Sequence, residues 1–223
     1  MDIFNFFKKR KKSQINNTAE GIINKLYDEK KYDEVISKAL PFLANEQEPS
    51  WKIRKKVALS YYYKNDFEKS LTLFEEIALK KNDVESWFNV LMSLMPSQKT
   101  QQGKEVFNKI LKIHKGLNDQ QPRELAIPFI RFYYACGLND NGLFDDALEQ
   151  LEELKKIYME LKITDDTFVY IRGVPFLSST LDLAKKVFEG LDMDFSNSDF
   201  LIELKNKVDY EGKITIKKYC EDC

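Results

Sequence analysis

The chain has 223 residues, of which 43% are hydrophobic and 32% are charged, so it can form both a packed core and a well-solvated surface. Its 35 basic and 36 acidic side chains leave a formal net charge of −1, which provides no overall attraction for nucleic acid. The 8 glycines, 6 prolines and 3 cysteines disfavour disorder, turn-rich β architecture and a disulfide framework. The few cysteines suit a reducing compartment, and no apolar run approaches the roughly 20 residues that span a bilayer, so we expect a cytoplasmic protein.

The first predicted element is a short aromatic and basic tail at residues 1–15. Its stretch Ile3-Phe4-Asn5-Phe6-Phe7 precedes a run of cations, which reverses the order found in a secretory signal. This combination favours weak, reversible contact with an anionic membrane surface, where each cation contributes about 1 kcal/mol. A flexible tail, or packing of Phe6 and Phe7 on the following helix, is the alternative. The candidate membrane-contact residues are Phe4, Phe6, Phe7, Lys8, Lys9 and Arg10.

A repeated apolar spacing follows and predicts a series of helices. Tyr32, Phe67 and Phe144 are each followed directly by acidic residues, which favour the positive end of a helix dipole. Downstream of each aromatic residue, apolar or small side chains recur in steps of three, four and three, which places them on one helical face. These positions are Val35, Ala39 and Phe42; Ser70, Phe74 and Ile77; and Ala147, Leu151 and Leu154.

Two weaker copies of this pattern start at Thr100 and Leu181, and a second pattern lies upstream of all five starting points. Each unit is therefore predicted to be a helix, a tight turn and a second helix. The larger step from Thr100 to Phe144 predicts a longer helix or an inserted loop around residues 116–122. Six residues before the starting points stand Leu26, Tyr61, Leu94, Leu138 and Pro175.

A helical hairpin of about 34 residues resembles the tetratricopeptide repeat (TPR). The resemblance covers residues 16–191 and implies an all-α, right-handed α-solenoid of four to five hairpins. Val35 in place of a small residue, Thr100 in place of an aromatic residue and Pro175 in the last unit depart from the repeat pattern, and an irregular helical bundle is the alternative. The resemblance rests on Val57-Ala58, Tyr61, Phe67, Ser70 and Phe74; on Tyr134-Ala135, Gly142, Phe144 and Ala147; and on Trp87 with Val90.

Residues 192–223 differ in character and are predicted to form a cap and a tail. Apolar and polar residues alternate between Val208 and Ile216 around Gly212, which favours a short β-hairpin. A helical cap with a polar tail is the alternative, because the last core face of a solenoid has to be covered.

The sequence offers no convincing catalytic residue, cofactor motif or metal site. Its single histidine, His114, is expected to complement the C-terminal end of a helix. Cys220 and Cys223 have the spacing of a redox or metal pair, but no second pair completes a set of four ligands, so we expect a tail with two thiols. Cys136 is expected inside a helix as a small core or groove residue.

The TPR resemblance implies that the first helix of each hairpin lines a concave surface for a peptide or helix. Aromatic anchors beside adaptable methionines are common on surfaces that bind proteins. The candidate partner-binding residues are Tyr27, Lys52, Lys55, Tyr62, Tyr63, Phe88, Met92, Phe129 and Phe132.

These patterns predict a non-catalytic scaffold whose partner is a protein or peptide and not nucleic acid. The small size and the Phe-Phe-Lys-Lys segment also resemble bacterial immunity proteins, which neutralise a toxin by occluding it. A membrane-surface adaptor anchored by residues 3–12 is the alternative function. A metal or redox protein that uses Cys220 and Cys223 is a third hypothesis.

Overall fold

The computed structural model describes residues 19–43, 48–116 and 122–220, without the side chains of residues 48–50. Within these ranges the secondary structure is entirely helical, which confirms the predicted all-α class. A short 3₁₀ helix, Arg123–Leu125, precedes the seventh α-helix. The α-helices are α1 (Ala19–Asp28), α2 (Tyr32–Leu43), α3 (Glu48–Tyr63), α4 (Phe67–Lys81), α5 (Val84–Leu94), α6 (Thr100–Lys115), α7 (Ile127–Asp140), α8 (Phe144–Leu161), α9 (Asp166–Ile171), α10 (Leu177–Gly190), α11 (Asp199–Lys207) and α12 (Tyr210–Lys217).

The second helices of the first four hairpins begin where the repeated spacing predicts. Helices α2, α4, α6 and α8 start at Tyr32, Phe67, Thr100 and Phe144. The predicted inner face of these helices is buried at every position except Phe42, whose side chain is 38% exposed. Since α2 ends at Leu43, Phe42 lies in its last turn, and Leu43 packs against the core instead.

A single turn geometry joins the two helices of each of these hairpins. The residue two positions before the second helix has a left-handed backbone, with φ between 59° and 72°. In the first hairpin, Lys31 N–H donates to the Leu26 carbonyl at 2.9 Å. In each of the other three turns, the N–H of the residue after the left-handed one likewise donates to the carbonyl five residues earlier. This arrangement is the Schellman motif that ends many helices. The left-handed residues are Lys30, Asn65, Gln98 and Gly142.

The fifth hairpin has the same turn geometry but a different register from the predicted one. Gly173 is left-handed with φ 69°, and Val174 N–H donates to the Val169 carbonyl at 3.0 Å. The predicted starting point, Leu181, lies one helical turn too late, because α10 begins at Leu177. Pro175 lies between α9 and α10 and not inside a first helix. Counted from Leu177, the repeated spacing falls on Thr180, Ala184 and Val187, which are all buried.

The predicted β-hairpin between Val208 and Ile216 is wrong, and the helical alternative describes this segment. Asp209 caps α12 by accepting a hydrogen bond from Gly212 N–H at 3.0 Å, as expected of an N-cap residue. Val208, Gly212 and Ile216 are the buried positions. Their spacing of four is that of a helical face, which the apparent alternation concealed.

The chain forms two compact units, Met1–Leu73 and Phe74–Cys223, and the boundary between them falls within α4. In the first unit α1, α2 and α3 contact one another. The core of this unit includes Ile23, Leu26, Val35, Ala39, Ile53 and Val57.

The second unit stacks its hairpins along the chain. Helix α7 contacts α5, α6 and α8, and α8 in turn contacts α10 and α11. Close packing is visible at Met95, which faces two glycines: a Cβ atom on Gly103 would lie 2.7 Å from its sulfur, and one on Gly137 would lie 2.8 Å from its Cβ. The connection between α6 and α7 spans residues 116–126, where the sequence predicts extra length.

Candidate protein-binding surfaces

Four tyrosines form a connected group in the first unit, which we name the tyrosine cluster: Tyr27, Tyr32, Tyr62 and Tyr63. The rings of Tyr32 and Tyr63 are stacked, with centroids 5.1 Å apart and an angle of 9° between their planes. Tyr27 meets both rings, at 5.9 and 6.4 Å, and Tyr62 meets Tyr63 at 6.0 Å. All four side chains are half-buried, so each ring is held by its neighbours and still meets solvent.

Two cations of α3 contact residues of α1. Lys52 is exposed and lies 3.8 Å from the Glu20 carboxylate of α1. The Lys56 ammonium lies over the Tyr27 ring, 4.0 Å from its centroid. Burial lowers the pKa of Lys56, while the charge of Asp28 opposes this effect and that of Lys55 adds to it. The predicted residues Tyr27, Tyr62 and Tyr63 therefore lie in one cluster. Lys52 instead pairs with Glu20 near the start of α1, and Lys55 lies on α3.

A second aromatic group runs across the first helices of the second unit. Its centre is Tyr133, whose ring centroid lies 5.8 Å from that of Phe88, 6.4 Å from Phe129 and 5.7 Å from Phe132. Phe129 also meets Tyr170 of α9 at 6.3 Å. Tyr170 in turn lies 6.4 Å from Phe176, which directly precedes α10. We name this group the aromatic strip and define it as Phe88, Phe129, Phe132, Tyr133, Tyr170 and Phe176.

Two of the predicted binding residues are buried and cannot present a surface to a partner. Phe88 is 7% exposed and Phe132 is 8% exposed. Both rings pack against Tyr133, so they support the aromatic strip from within the fold. Met92 and Phe129 are half-buried, as a residue at the edge of a binding surface would be.

Tyr133 and Tyr170 are members of the strip that the sequence analysis missed. Tyr133 lies four residues after Phe129, so the helical spacing already places both rings on one face of α7. Tyr170 was not selected because the predicted register of the fifth hairpin was incorrect. Its hydroxyl donates to Glu124 at 3.0 Å, and the guanidinium of Arg123 lies 5.4 Å from its ring centroid.

Tyr133 of the strip and the neighbouring Cys136 are held in their neutral forms. Burial raises the pKa of Tyr133 to about 12, with smaller contributions from Cys136 and Glu124. Burial also raises the pKa of the Cys136 thiol to about 12, so little thiolate exists there near neutral pH. A thiol of this kind is a poor nucleophile, and the strip therefore supplies contact area more than reactive groups.

Other candidate residues lie apart from these surfaces. His114 is half-buried in the last turn of α6, where it was expected. Cys220 is half-buried beyond α12, whereas Cys223 and the proposed membrane-contact residues Phe4 to Arg10 lie outside the described residues. Within the described part of the chain, no three His, Cys, Asp or Glu side chains gather closely enough to hold a metal ion.

Two solved structures have a similar arrangement of helices. One is a crystal structure of a putative kinesin light chain from Podosopora anserina with nearly identical TPR-like repeats. Its sequence is 12% identical to this chain and the TM-score is 0.61. The match covers 90% of this chain and 92% of that chain. The other is a variant of that protein with one substituted residue, with 13% identity and a TM-score of 0.61 over 84% of this chain and 92% of that chain. No protein-family model and no curated protein matches the sequence.

At these identities the likeness is one of fold, and it confirms the predicted resemblance: the chain has a TPR-like helical repeat fold. Among the helices of the described ranges, none combines the length and the apolar character that crossing a bilayer requires.

Proposed function

We propose that this chain is a non-catalytic interaction scaffold that binds a protein or peptide on the aromatic faces of its first helices. The observation that carries the proposal is the half-buried state of rings that already contact one another in each unit. Tyr27, Tyr62 and Tyr63 provide them in the first unit, and Phe129, Tyr133 and Tyr170 in the second. Rings held in place before binding lose little conformational freedom on association, and tyrosine is common among the residues that dominate binding energy.

Affinity capture with substitutions in the tyrosine cluster tests this proposal. The full chain and its Tyr62→Ala/Tyr63→Ala variant would each be used to recover partners from cells that make the protein, with identification by mass spectrometry. We expect recovery of the specific partner to fall at least about tenfold in the variant, because an anchoring aromatic residue contributes about 2 kcal/mol or more. The variant Phe129→Ala/Tyr170→Ala shows whether the second unit takes part.

Tyr210→Ala is the matched control for these variants. Tyr210 is 78% exposed on α12 and makes no described ring contact with either surface. Circular dichroism of every variant separates lost binding from lost folding. Equal recovery of the same partners by folded protein of all four types would contradict the proposal.

A specific form of the proposal is an immunity protein that occludes a toxin. Co-expression with the product of a neighbouring gene tests this form. Protection from a toxic product that is lost in Tyr62→Ala/Tyr63→Ala is the expected result. If no neighbouring gene product is toxic or bound, this form is wrong while the general scaffold proposal stands.

The membrane-surface adaptor stays a separate prediction, because residues 3–12 lie outside the described ranges. Flotation of the chain with anionic liposomes, with and without residues 3–12, tests it. Loss of flotation on deletion is expected if this segment makes the contact, and equal flotation excludes it.

A further inference from the structure

The connection between α6 and α7 ends in residues 123–126, which contact the first helices of three hairpins and which we name the inserted segment. Its 3₁₀ helix, Arg123–Leu125, contacts α5 and α7. A Cβ atom on Gly173 would lie 2.5 Å from the Ala126 Cβ atom and 3.2 Å from the Arg123 carbonyl oxygen. Since Gly173 lies in the turn after α9, the inserted segment also packs closely against the fifth hairpin.

Two side chains of the inserted segment contact Tyr170 of α9. The Tyr170 hydroxyl donates to the Glu124 carboxylate at 3.0 Å. The guanidinium of Arg123 lies over the same ring, 5.4 Å from its centroid. A hydrogen bond to a charged acceptor is stronger than one between neutral groups, and a cation over a ring adds a second attraction. Together these contacts restrict the orientation of the Tyr170 side chain.

Helix α9 by itself gives Tyr170 little support. It has 6 residues, which makes it the shortest α-helix of the described ranges, and Val169 is its one buried residue. A helix this short is marginal without contacts from outside. The Tyr170 ring nevertheless meets Phe129 at 6.3 Å and Phe176 at 6.4 Å within the aromatic strip. Its place in the strip therefore depends on residues outside α9.

We propose that Glu124 is a positioning residue that holds the Tyr170 ring in the aromatic strip, so that a segment outside the repeat pattern completes the binding surface of the fifth hairpin. This inference rests on the proposed function and adds a residue to it. Because the Tyr170 hydroxyl gives its proton to Glu124, a partner meets Tyr170 mainly through the ring. A ring that is already held in place loses little conformational freedom when the partner binds.

Fluorine NMR of the full chain tests the positioning without any partner. The chain is labelled with 3-fluorotyrosine, and the Tyr170 signal is the one that Tyr170→Phe lacks. In Glu124→Ala we expect this signal to move at least about halfway toward its position in guanidinium chloride, because a released ring samples several rotamers. Glu124→Gln keeps an oxygen acceptor for the hydroxyl and should restore most of the wild-type shift.

Glu160→Ala is the matched control for these measurements. Glu160 is exposed on α8, and no described contact joins it to the aromatic strip. Its replacement removes one carboxylate, as Glu124→Ala does, and should leave the Tyr170 signal unmoved. Circular dichroism of each variant shows that the chain is still folded.

A double-mutant cycle then shows whether Glu124 acts on binding through Tyr170. The readout is the affinity of the purified chain for the partner that the affinity capture identifies. Glu124→Ala and Tyr170→Phe should each weaken binding at least about threefold, as expected for the loss of one hydrogen bond. The double variant should bind no more weakly than either single variant, and Glu124→Gln should bind like the wild type.

Three results would overturn this inference. The first is an unmoved Tyr170 signal in Glu124→Ala, whatever the chain binds, and the second is an equal movement in Glu124→Gln. The third is a double variant whose loss is the product of the two single losses, because Glu124 would then contact the partner itself. A Tyr170 signal that moves as expected, with no partner that depends on Phe129 or Tyr170, would uphold the positioning and contradict the proposed function.

Discussion

Tyr158 on α8 is fully buried, and its hydroxyl is hydrogen-bonded within the fold. Its hydroxyl donates to the Pro175 carbonyl at 2.6 Å and lies 2.9 Å from the Thr180 hydroxyl. Burial raises the pKa of Tyr158 well above its usual value, so the hydroxyl keeps its proton. These bonds tie α8 to the connection before α10 and to α10 itself.

The variant Tyr158→Phe should lower the free energy of unfolding by about 1–2 kcal/mol, because the buried Pro175 carbonyl loses its donor while the ring is kept. Chemical denaturation followed by circular dichroism measures this change. Tyr210→Phe is the matched control, since its hydroxyl is on an exposed side chain and its removal should change stability little. Equal stability of the two variants would show that the Tyr158 hydroxyl contributes nothing.

Helix α12 is held to the rest of the second unit at its N-terminus. The Asp209 carboxylate accepts from the Thr164 hydroxyl at 2.6 Å and from Gly212 N–H at 3.0 Å. In addition, Asp209 N–H donates to the Lys162 carbonyl at 2.8 Å. Burial raises the pKa of Asp209, but the hydrogen bonds from Thr164 and Gly212 outweigh burial and lower it on balance.

This lowered pKa predicts a stabilisation that acid removes. The folded state favours the Asp209 carboxylate, so its contribution is complete above the unfolded-state pKa of about 3.9 and is lost as the pH falls through the lower folded-state pKa. We expect the difference in free energy of unfolding between the wild type and Asp209→Asn to be constant near neutral pH and to shrink below about pH 4. Denaturation at a series of pH values measures it, and a difference that does not change with pH would contradict the prediction.

The starts of α2, α4 and α8 were predicted because each combines an aromatic residue, acidic neighbours and a regular inner face, whereas the start of α6 was predicted from its inner face alone. The fifth hairpin lacked the first two features, and Ala184 fits both the correct and the shifted register, so periodicity alone could not choose between them. The α12 segment was misassigned because Ile214 and Ile216 suggest alternation, although Ile214 is 47% exposed and Ile216 is buried. Tertiary contacts, such as that of Asp209 with Thr164, favour the helix over the hairpin, and the local sequence pattern carries no information about them.

The candidate surfaces were predicted in part for a related reason. The TPR resemblance placed aromatic residues, Tyr62 and Tyr63 among them, on the predicted inner face of the first helices. It could not separate Phe88 and Phe132 from Phe129, because packing between helices determines which rings of a mixed apolar face are covered. The spacing from Phe129 places Tyr133 on the same face of α7, but its central position in the strip follows from its contacts with three phenylalanines.

The division of the molecule into two compact units predicts how a local change spreads. In repeat proteins each hairpin is stabilised mainly by its immediate neighbours. We therefore expect Tyr158→Phe to speed amide hydrogen exchange in α8 and α10 of the second unit, with no change in α1 and α2 of the first. Exchange measured by mass spectrometry under native conditions tests this prediction. An equal increase in both units would show that the chain opens as one cooperative body.

The left-handed turns also indicate how far the sequence of such a repeat protein can change while its fold is kept. Three of the four equivalent turn residues, Lys30, Asn65 and Gln98, are not glycine, yet all adopt the same main-chain conformation. The hairpin boundary is thus specified by peptide groups, which every amino acid except proline supplies in full. A lineage of such repeats can replace most of its side chains and keep its architecture, which fits a chain that resembles solved structures in shape at 12% and 13% identity.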